Sequence, residues 1–342
     1  MREHVVLGLS GGVDSAVAAR LLLERGFAVH PLWLDIGLGG GEDAARVAGA
    51  LGLPLYTADI RAALEREVCV PFAADYLAGR TPLPCARCNA LVKFPALLDL
   101  ADRLGAAWVA TGHYARRGED GSPSPLLRGR AANDQSYMLA RLPRDTLQRV
   151  IFPLGDYEKR GVRALAEGFD LPVAHKPDSM ELCFIPDNDY ASWLDRRGGT
   201  PPPGNFVDPE GAVLGRHKGI HHYTLGQRRG LGISAAGRLF VSAISPERNE
   251  VTLSAGEDLR ASQVLCTAPN WLLDGAAPTA PMEVTVRLRH ARQETPATLV
   301  PRGDEVRLCL HTPARAPTPG QLAVFYLGDA VAGSGWIAAA KP

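Results

Sequence analysis

The sequence lacks a net charge, a membrane-spanning apolar run and a signal peptide, the features that most directly indicate a class of protein. Its 342 residues carry 37 basic and 37 acidic side chains, so the formal net charge is zero. No stretch approaches the roughly 20 apolar residues of a membrane-spanning helix, and the N-terminal MREHVVLGLS offers no signal-peptide core. We therefore expect a cytoplasmic protein without a membrane partner. Zero net charge argues against indiscriminate nucleic-acid binding but leaves room for a local basic face.

Cysteine is also scarce. The six cysteines are Cys69, Cys85, Cys88, Cys183, Cys266 and Cys309. Without an export signal, we expect thiols, metal ligands or catalytic groups rather than a disulfide framework. Three of them lie in apolar patterns and are interpreted as small buried residues: Cys69, Cys266 and Cys309.

Two cysteines form a C-x-x-C pair in GRTPLPCARCNALVKF, residues 79–94. Because no second pair completes a four-ligand zinc site, Cys85 and Cys88 leave open a redox pair, half a zinc site or part of an iron–sulfur site. The prolines predict a loop just before a helix, whose N-terminus would lower the pKa of a thiol. Cys183, in KPDSMELCFIP, taken alone is most simply a buried thiol.

The most informative stretch is VVLGLSGGVDS, residues 5–15. Residues 5–9 predict a buried strand and residues 16–25 a helix, with a glycine turn between them. This arrangement points backbone N–H groups and a helix N-terminus at an anion. Asp14 is an acceptor in a place that otherwise favours negative charge, which indicates a divalent metal ion bridging it to phosphates.

The turn lacks the Gly-Lys-Ser/Thr of a Walker A loop and the G-x-G-x-x-G of a dinucleotide site. SGGVDS instead resembles the PP-loop signature of ATP pyrophosphatases, which split ATP between its α and β phosphates and adenylate an oxygen. The resemblance implies ATP and Mg²⁺ as cofactors.

The first half of the chain alternates strand and helix patterns. Strands are expected near residues 27–34, 53–58 and 107–110, and helices near 42–51, 60–77 and 90–104, the last kinked at Pro95. This predicts a doubly wound parallel α/β sheet with ligands at the carboxyl ends of its strands. Residues 136–171 carry a helical pattern. Residues 192–205 form a linker by composition, and short strands after residue 282 predict a C-terminal β-barrel or sandwich.

Several polar residues have two interpretations. His113, in TGHY, could be a core histidine or part of a polar site. Its place at a strand end beside the nucleotide loop favours the polar site. Asn133 and Asp134 precede a helix, where capping is the ordinary role. HKGIHHYTLGQRR, residues 217–229, together with Arg287, Arg289 and Arg292, predicts a surface that follows the phosphates of a nucleic acid.

Several blocks occur in one order along almost the whole chain: GLSGGVDS, GRTP followed by Cys-Asn, ATGHY, NDQSY, KPDS followed by CFI, YTLGQRRGLG and PGQLAVFY. This series resembles the bacterial tRNA-specific 2-thiouridylase family. The resemblance implies an adenine nucleotide α-hydrolase-like PP-loop domain over 1–200, a small central β domain over 201–265 and a tRNA-contacting β-barrel over 266–342. It also implies ATP-dependent thiolation at C2 of the wobble uridine.

The resemblance assigns residues to three groups. For ATP they are Gly8, Leu9, Ser10, Gly11, Gly12, Val13, Asp14, Ser15, Leu34 and Gly112. For tRNA they are Leu83, Pro84, Cys85, His113, Asn133, Asp134, Gln135, Arg289, His290 and Gln321. For catalysis, beside Asp14, they are Cys88 as nucleophile and Cys183 as persulfide carrier.

Many family members have an acidic residue where this chain has Cys85. Cys85, Cys88 and Cys183 would therefore ligate three irons of a [4Fe–4S] cluster whose fourth iron binds sulfide. The competing hypothesis is a persulfide relay from a sulfur donor protein through Cys183 to Cys88. At Asn133 a lysine is more usual in the family.

Two other classes remain open. A different PP-loop pyrophosphatase or ligase acting on a small molecule would share the ATP loop but would need neither paired cysteines nor a barrel bearing arginines. A non-catalytic metal- or RNA-binding protein would keep the cysteines and would not cleave ATP. Pyrophosphate release that depends on tRNA separates these classes from the thiouridylase.

Overall fold

The computed structural model describes residues 2–118, 122, 124–178, 182–235, 237–273, 275–290 and 293–342. Its helices are α1 (Val13–Glu24), α2 (Gly41–Ala50), α3 (Arg61–Leu64), α4 (Val70–Leu77), α5 (Pro84–Cys88), α6 (Phe94–Leu104), α7 (Ser136–Leu139), α8 (Arg144–Gln148), α9 (Lys159–Gly168) and α10 (Tyr190–Arg197). Short 3-10 turns cover Ile220–His222 and Glu257–Leu259.

The strands fall into three sheets. They are β1 (His4–Gly8), β2 (Ala28–Asp35), β3 (Tyr56–Asp59), β4 (Trp108–Ala110), β5 (Ala115–Arg117), β6 (Leu126–Arg128), β7 (Val150–Ile151), β8 (Asn205–Val207), β9 (Val213–Arg216), β10 (Phe240–Ser245), β11 (Glu250–Ser254), β12 (Arg260–Trp271), β13 (Met282–Arg287), β14 (Glu294–Arg302), β15 (Glu305–Arg315), β16 (Leu322–Leu327) and β17 (Ala330–Lys341).

The first sheet is parallel, with the order β3-β2-β1-β4-β7. The predicted doubly wound α/β fold is confirmed. Strand β1 is central and buried on both faces, which explains its continuous apolar run. Helix α1 also buries side chains all around, because it lies between the sheet and α9 and consists largely of Ala, Val and Leu. Burial on this scale fixes the turn between β1 and α1.

Two helical stretches contain π-helical turns, and each turn ends two residues before a proline. Glu65–Cys69 joins α3 to α4 ahead of Pro71, and Asn89–Lys93 joins α5 to α6 ahead of Pro95. A proline inside a helix cannot donate to the carbonyl four residues earlier, and its ring crowds that carbonyl. A wider π turn relieves this conflict. The irregularity predicted at Pro95 therefore lies just before it.

Two sequence predictions after residue 136 were wrong. The region 136–171 is not helical throughout, because it contains β7, which completes the parallel sheet. The predicted linker 192–205 is shorter, because α10 continues to Arg197 with Leu194 buried. Asp189 accepts the Ser192 N–H at the start of α10, at 3.0 Å, so the helix is capped.

The C-terminal strands close into a barrel in the order β12-β15-β14-β13-β16-β17, since β12 pairs with both β15 and β17. The predicted barrel is confirmed. Its outer face packs on the first domain: Tyr137 and Tyr326 share a buried cluster, and the Tyr137 hydroxyl donates to the Leu322 carbonyl at 2.7 Å. The β5–β6 hairpin joins β17 through Leu127 and Ala330. The barrel is therefore attached close to the parallel sheet.

The central sheet has the order β10-β11-β8-β9 and its own small core, which includes Phe206, Ile220, Tyr223 and Val251. The domain limits 1–200, 201–265 and 266–342 stay a prediction. In the part of the chain that the structure describes, no helix combines the length and the apolar character that crossing a membrane requires.

Candidate active site

The turn between β1 and α1 is held by its own serines. The Ser15 hydroxyl accepts the Ser10 N–H at 3.2 Å and donates to the Gly12 carbonyl at 3.1 Å. Gly11 has φ +73° and sits so close to Asp43 that a Cβ would lie 2.7 Å from that side chain. Only glycine satisfies both conditions. The result is a preformed, backbone-lined turn at the N-terminus of α1, suited to an anion.

Gly112 closes one side of this turn. A Cβ on Gly112 would lie 2.9 Å from the backbone nitrogen of Ser15, so the backbone after β4 touches the first turn of α1. Leu34, near the end of the neighbouring β2, is half-buried and packs on the adjoining core. The residues predicted to hold ATP therefore meet at the carboxyl ends of β1, β2 and β4.

Asp14 is held by a lysine and a tyrosine. The Lys159 Nζ lies 2.7 Å from both carboxylate oxygens, and the Tyr114 hydroxyl donates to Oδ1 at 2.6 Å. Lys159 also lies 2.9 Å from Asp178. Desolvation, followed by the hydrogen bond to Asp14, raises the pKa of Tyr114, so its hydroxyl remains a donor. Asp14 thus faces the loop as a charged, oriented carboxylate.

The KPDS segment lies against the same turn. The Lys176 Nζ donates to the Gly11 carbonyl at 3.2 Å and pairs with Asp43, and the hydrogen bond from Lys176 lowers the pKa of that carboxyl. Arg163 fixes the segment by donating to Asp178 at 2.7 Å and to the Lys176 carbonyl at 3.2 Å. The neighbouring Ser179 lies outside the described residues. Lysines 159 and 176 therefore place two ammonium groups beside the glycine turn.

The three candidate site cysteines are free thiols in the described part of the chain. Cys85 and Cys88 are half-buried and lie inside the short helix α5, and Cys183 is exposed. Desolvation raises the pKa of Cys183. The pKa lowering expected at the C-x-x-C pair was wrong: desolvation raises the pKa of Cys85 and raises that of Cys88 to about 11. A helix of one turn has little dipole, and its surroundings exclude water.

Lys93 is the cation that the thiols share. Its charge opposes the desolvation at all three and favours their thiolates. The same charge, after burial, lowers the pKa of His113, which stays neutral. His113 accepts or donates a hydrogen bond with the Thr111 hydroxyl at 2.8 Å and stacks on Phe94 at 6.3 Å between ring centroids. These contacts connect the end of β4 to the start of α6, which follows the cysteine helix α5 after one π turn.

The cysteine helix is anchored from three sides. Asn89, next to Cys88, donates to the Met138 carbonyl at 3.1 Å. Arg87 donates to the Glu67 carbonyl at 3.1 Å, which the missing N–H of Pro71 leaves available. These bonds fix α5 from neighbouring helical segments.

The third anchor comes from the barrel. The Gln321 amide donates to the carbonyls of Thr81 and Pro82 at 3.0 and 3.1 Å. Leu83 and Pro84, predicted near the target base, are buried beyond this clamp. Gln321 was expected to contact tRNA, and its amide nitrogen is engaged with the protein.

The NDQ residues also make intramolecular contacts. Asp134 accepts the N–H groups of Gly129 and Ser136, and Gln135 accepts the Tyr114 N–H at 3.0 Å. The capping interpretation of Asn133 or Asp134 was wrong, because the N-cap of α7 is Gln135. Asn133 makes only a long contact, 3.5 Å, to a backbone carbonyl. Of the three, Asn133 is the least constrained.

The predicted basic surface needs corrections. Arg287 is 4% exposed and pairs with Asp134, so it is no surface residue. His217 and His221 are buried too, because their segment packs on the central sheet. Arg289 and His290 are exposed, and the side chains of Arg228 and Arg229 remain exposed as well. Arg292 lies outside the described residues.

The remaining thiols divide in two. Cys69 and Cys266 are buried, as predicted. Cys309 is half-exposed, because it alternates with the inward-facing residues of β15 and points to the outside of the barrel.

Sequence reasoning missed four residues of this site: Lys93, Tyr114, Lys159 and Lys176. Three stood inside quoted motifs, VKF, TGHY and KPDS, and their polar character beside other candidates was the available signal. Lys159 stands in no such motif, and only the fold brings it to Asp14.

The parallel sheet with a serine–glycine turn at the N-terminus of α1 defines the class of PP-loop ATP pyrophosphatases. Three family models cover the chain: the tRNA methyl transferase HUP domain over residues 3–187, the tRNA methyl transferase PRC-barrel domain over 192–255 and the aminomethyltransferase beta-barrel domain over 261–337. The chain belongs to the tRNA-specific 2-thiouridylase family.

Relatives of that name match nearly the whole length. The tRNA-specific 2-thiouridylase MnmA of Syntrophotalea carbinolica is 44% identical over 349 residues, covering 98% of this chain and 99% of the relative. That of Heliobacterium modesticaldum is 44% identical, covering 98% and 93%, and that of Pelotomaculum thermopropionicum is 42% identical, covering 98% and 97%.

Proposed function

We propose that the protein is a tRNA-uridine 2-sulfurtransferase that uses ATP to thiolate the wobble uridine, position 34, of tRNA. The observation that carries the proposal is the contact between two sites. The segment after β4 touches the PP-loop through Gly112, and through His113 it stacks on Phe94 at the start of α6, in the helical stretch that continues from the cysteine helix α5. An adenylating loop and a set of thiols thereby share one edge of the sheet. Relatives named 2-thiouridylase, 44% identical over nearly the full chain, support the same reaction.

In the first half-reaction, residues 8–15 with Leu34 and Gly112 hold ATP. The C2 oxygen of uridine is a poor leaving group and must first be activated. It attacks the α-phosphorus of ATP, pyrophosphate departs, and the adenylated oxygen can then leave as part of AMP. Backbone N–H groups of the turn stabilise the departing charge without reorganising. Asp14 is the oxygen ligand suited to Mg²⁺, which would neutralise phosphate charge there. The chain contributes an oriented carboxylate, because Tyr114 and Lys159 already fix it.

Lys159 has a second role in this proposal. Its ammonium lies against both oxygens of Asp14. A divalent cation would be held by Asp14, and Lys159 and Lys176 would supply two ammonium groups beside the turn. Two lysines then bind the leaving pyrophosphate.

In the second half-reaction, sulfur replaces the adenylated oxygen. A donor protein converts the Cys183 thiol into a persulfide, and its terminal sulfur attacks C2 while AMP leaves. The Cys88 thiolate then attacks the inner sulfur, which forms a Cys88–Cys183 disulfide and releases 2-thiouridine. A thiol reductant restores both cysteines. Exposed Cys183 suits a donor protein, and half-buried Cys88 suits a step inside the site.

The alternative sulfur source is a [4Fe–4S] cluster on Cys85, Cys88 and Cys183, which would present sulfide at a fourth iron. A single metal ion needs ligand atoms that all lie within 4.8 Å of one another. Among the described residues, the three sulfurs do not form such a group. A cluster distributes its cysteines over several irons.

For tRNA, exposed Arg289 and His290 and partly accessible Asn133 and His113 are the direct contacts in this proposal. Asp134, Gln135 and Gln321 act by holding the loops that surround the base. The residues from Leu83 to Cys85 line the approach to the thiols. The target uridine must leave the anticodon stack to reach them.

The deciding experiment is anaerobic thiolation of unmodified tRNA with ATP, Mg²⁺ and a sulfur source, read as 2-thiouridine by nucleoside mass spectrometry. We compare wild type with Cys85→Ala, and use Cys309→Ala, a half-exposed thiol on the barrel, as the matched control. Activity that is lost only in Cys85→Ala favours the cluster, and activity retained in both favours the relay.

The same assay separates the other classes. A small-molecule PP-loop ligase would release pyrophosphate without tRNA, and a binding protein would release none. Two of the matched family models are described as tRNA methyl transferase domains. The mass of the product nucleoside also distinguishes sulfur transfer from methyl transfer. Absence of thiouridine with every donor and after iron reconstitution would refute the proposal.

A further inference from the structure

Asp195, His221 and His222 form a group of possible metal ligands away from the thiols. One ligand atom from each lies within 4.8 Å of the others. The Asp195 Oδ1 is 3.0 Å from the His221 Nε2, and the two imidazole rings have centroids 4.4 Å apart. The residues come from two segments, helix α10 and the 3-10 turn Ile220–His222.

The arrangement is built into the fold. His221 is 1% exposed, and its Nδ1 is buried without a hydrogen-bond partner among the described residues. The ring fits because position 219 is glycine: a Cβ there would lie 2.5 Å from the imidazole. Flanking Ile220 and Tyr223 are buried in the core of the central sheet. The fold thus buries an imidazole that makes a single side-chain hydrogen bond within the described part of the chain, through Nε2 to Asp195.

We propose that Asp195, His221 and His222 bind a divalent transition-metal ion of the zinc type, which ties helix α10 to the central β sheet. Two imidazole nitrogens and one carboxylate oxygen are a ligand set that zinc accepts. At metal–ligand distances of about 2.0 Å, neighbouring ligands of a tetrahedral ion are roughly 3.3 Å apart. The 3.0 Å between Asp195 and His221 is already close to that spacing. Exposed Asp195 and half-buried His222 leave room for water as a fourth ligand.

The consequence is mechanical. Leu194 of α10 packs with Phe72 and Phe184 in a cluster that belongs to the first domain, whereas Ile220 packs with Phe206 in the central sheet. The connection between them, residues 198–204, begins with two glycines at positive φ. An ion shared by Asp195 and the two histidines fixes the relative position of the two clusters on either side of this connection.

The test uses the full-length protein, stripped with a chelator and titrated with Zn²⁺ and with Co²⁺. We compare wild type with Asp195→Asn and His222→Ala, whose side chains are partly exposed, so that buried His221 stays in place. His311→Ala is the matched control, because His311 forms a similar pair with Glu283, 3.2 Å apart, on the barrel. Circular dichroism verifies that each variant is folded.

We expect wild type and His311→Ala to bind one more ion per chain than the two site variants, or to bind it at least tenfold more tightly. Co²⁺ bound there gives visible d–d absorption, and thiolate-to-metal charge-transfer bands identify ions at the cysteines. Zn²⁺ should also raise the Tm of wild type and not of the site variants. Equal stoichiometry and affinity in all four proteins, or ions bound by thiolates alone, would overturn the proposal.

Discussion

The Arg287 guanidinium lies 2.8 Å from the Asp134 carboxylate, and the two side chains are only 5% and 12% exposed. Arg287 belongs to the barrel strand β13, and Asp134 to the NDQ segment of the first domain. The same carboxylate accepts the N–H groups of Gly129 and Ser136. One buried ion pair thus joins the barrel to the segment that holds Tyr114, whose hydroxyl contacts Asp14.

We expect Arg287→Met to destabilise the protein by about 3–5 kcal/mol, because it leaves Asp134 buried without its cation. Urea unfolding measures the change. Arg289→Met is the matched control, two residues away and exposed: it should leave stability unchanged and weaken tRNA binding with a smaller salt dependence. Equal stability of both variants would show that the pair does not hold the barrel.

Arg287 also explains why part of the site could not be predicted. Along β13, Arg287 lies on the face opposite inward-facing Val284 and Val286. The predicted basic surface equated this outer face of the barrel with solvent, which was the error. The outer face is covered by the first domain, as Tyr326 on β16 shows by its contact with Ser136. The hint was the continuous apolar run LAVFYL, which indicates a strand buried on both faces.

The local signals that did succeed share one property. The glycine turn and the alternating strands depend on backbone geometry and burial near each residue in sequence. The Lys159–Asp14 pair spans 145 positions, and the two-residue strand β7 exists only because β4 offers it an edge. The raised thiol pKa values depend on what surrounds α5 in space. Contacts of this kind carry no local pattern.

We expect Lys159→Met to abolish most tRNA-dependent pyrophosphate release, because the phosphates lose one ammonium and Asp14 loses its partner. A loss of roughly a hundredfold in kcat is typical for one preorganised charge at such a site. Release of pyrophosphate is the measurement.

The control for Lys159→Met is Arg160→Met, the exposed neighbour on α9. It removes a positive charge from the same helix and should keep wild-type kcat. If both variants behave alike, the effect belongs to general charge and not to the contact with Asp14.

We expect alkylation of Cys88 to quicken about tenfold per pH unit from pH 7 to 9 without a plateau, because its pKa is raised to about 11 and only the thiolate reacts. Lys93→Gln removes the cation that favours the thiolate, so the pKa should rise further and the rate at pH 8 should fall several-fold. Site-resolved peptide mass spectrometry after iodoacetamide treatment gives the rate at each cysteine.

Lys218→Gln, an exposed lysine of the central domain, is the control for Lys93→Gln and should leave the profile unchanged. A plateau below pH 8 in wild type would contradict the raised pKa. An unchanged rate in Lys93→Gln would show that Lys93 does not act on the thiol.

Gln321→Glu tests the clamp between the barrel and the cysteine loop. The substitution places a carboxylate against the Thr81 and Pro82 carbonyls, which now accept from the amide at 3.0 and 3.1 Å. We expect repulsion to move the loop that precedes Cys85. A shift of about 1 Å at such a site costs up to a hundredfold in rate.

The split between kcat and KM decides what Gln321 does. A positioning role lowers kcat for thiolation and leaves ATP binding and the KM for tRNA unchanged, since the loop and not the RNA is displaced. A direct tRNA contact instead raises KM with little change in kcat. Gln263→Glu, exposed on barrel strand β12, adds the same charge elsewhere on the barrel and controls for general repulsion of RNA. A rise in KM of equal size in both variants would mean that charge alone is responsible.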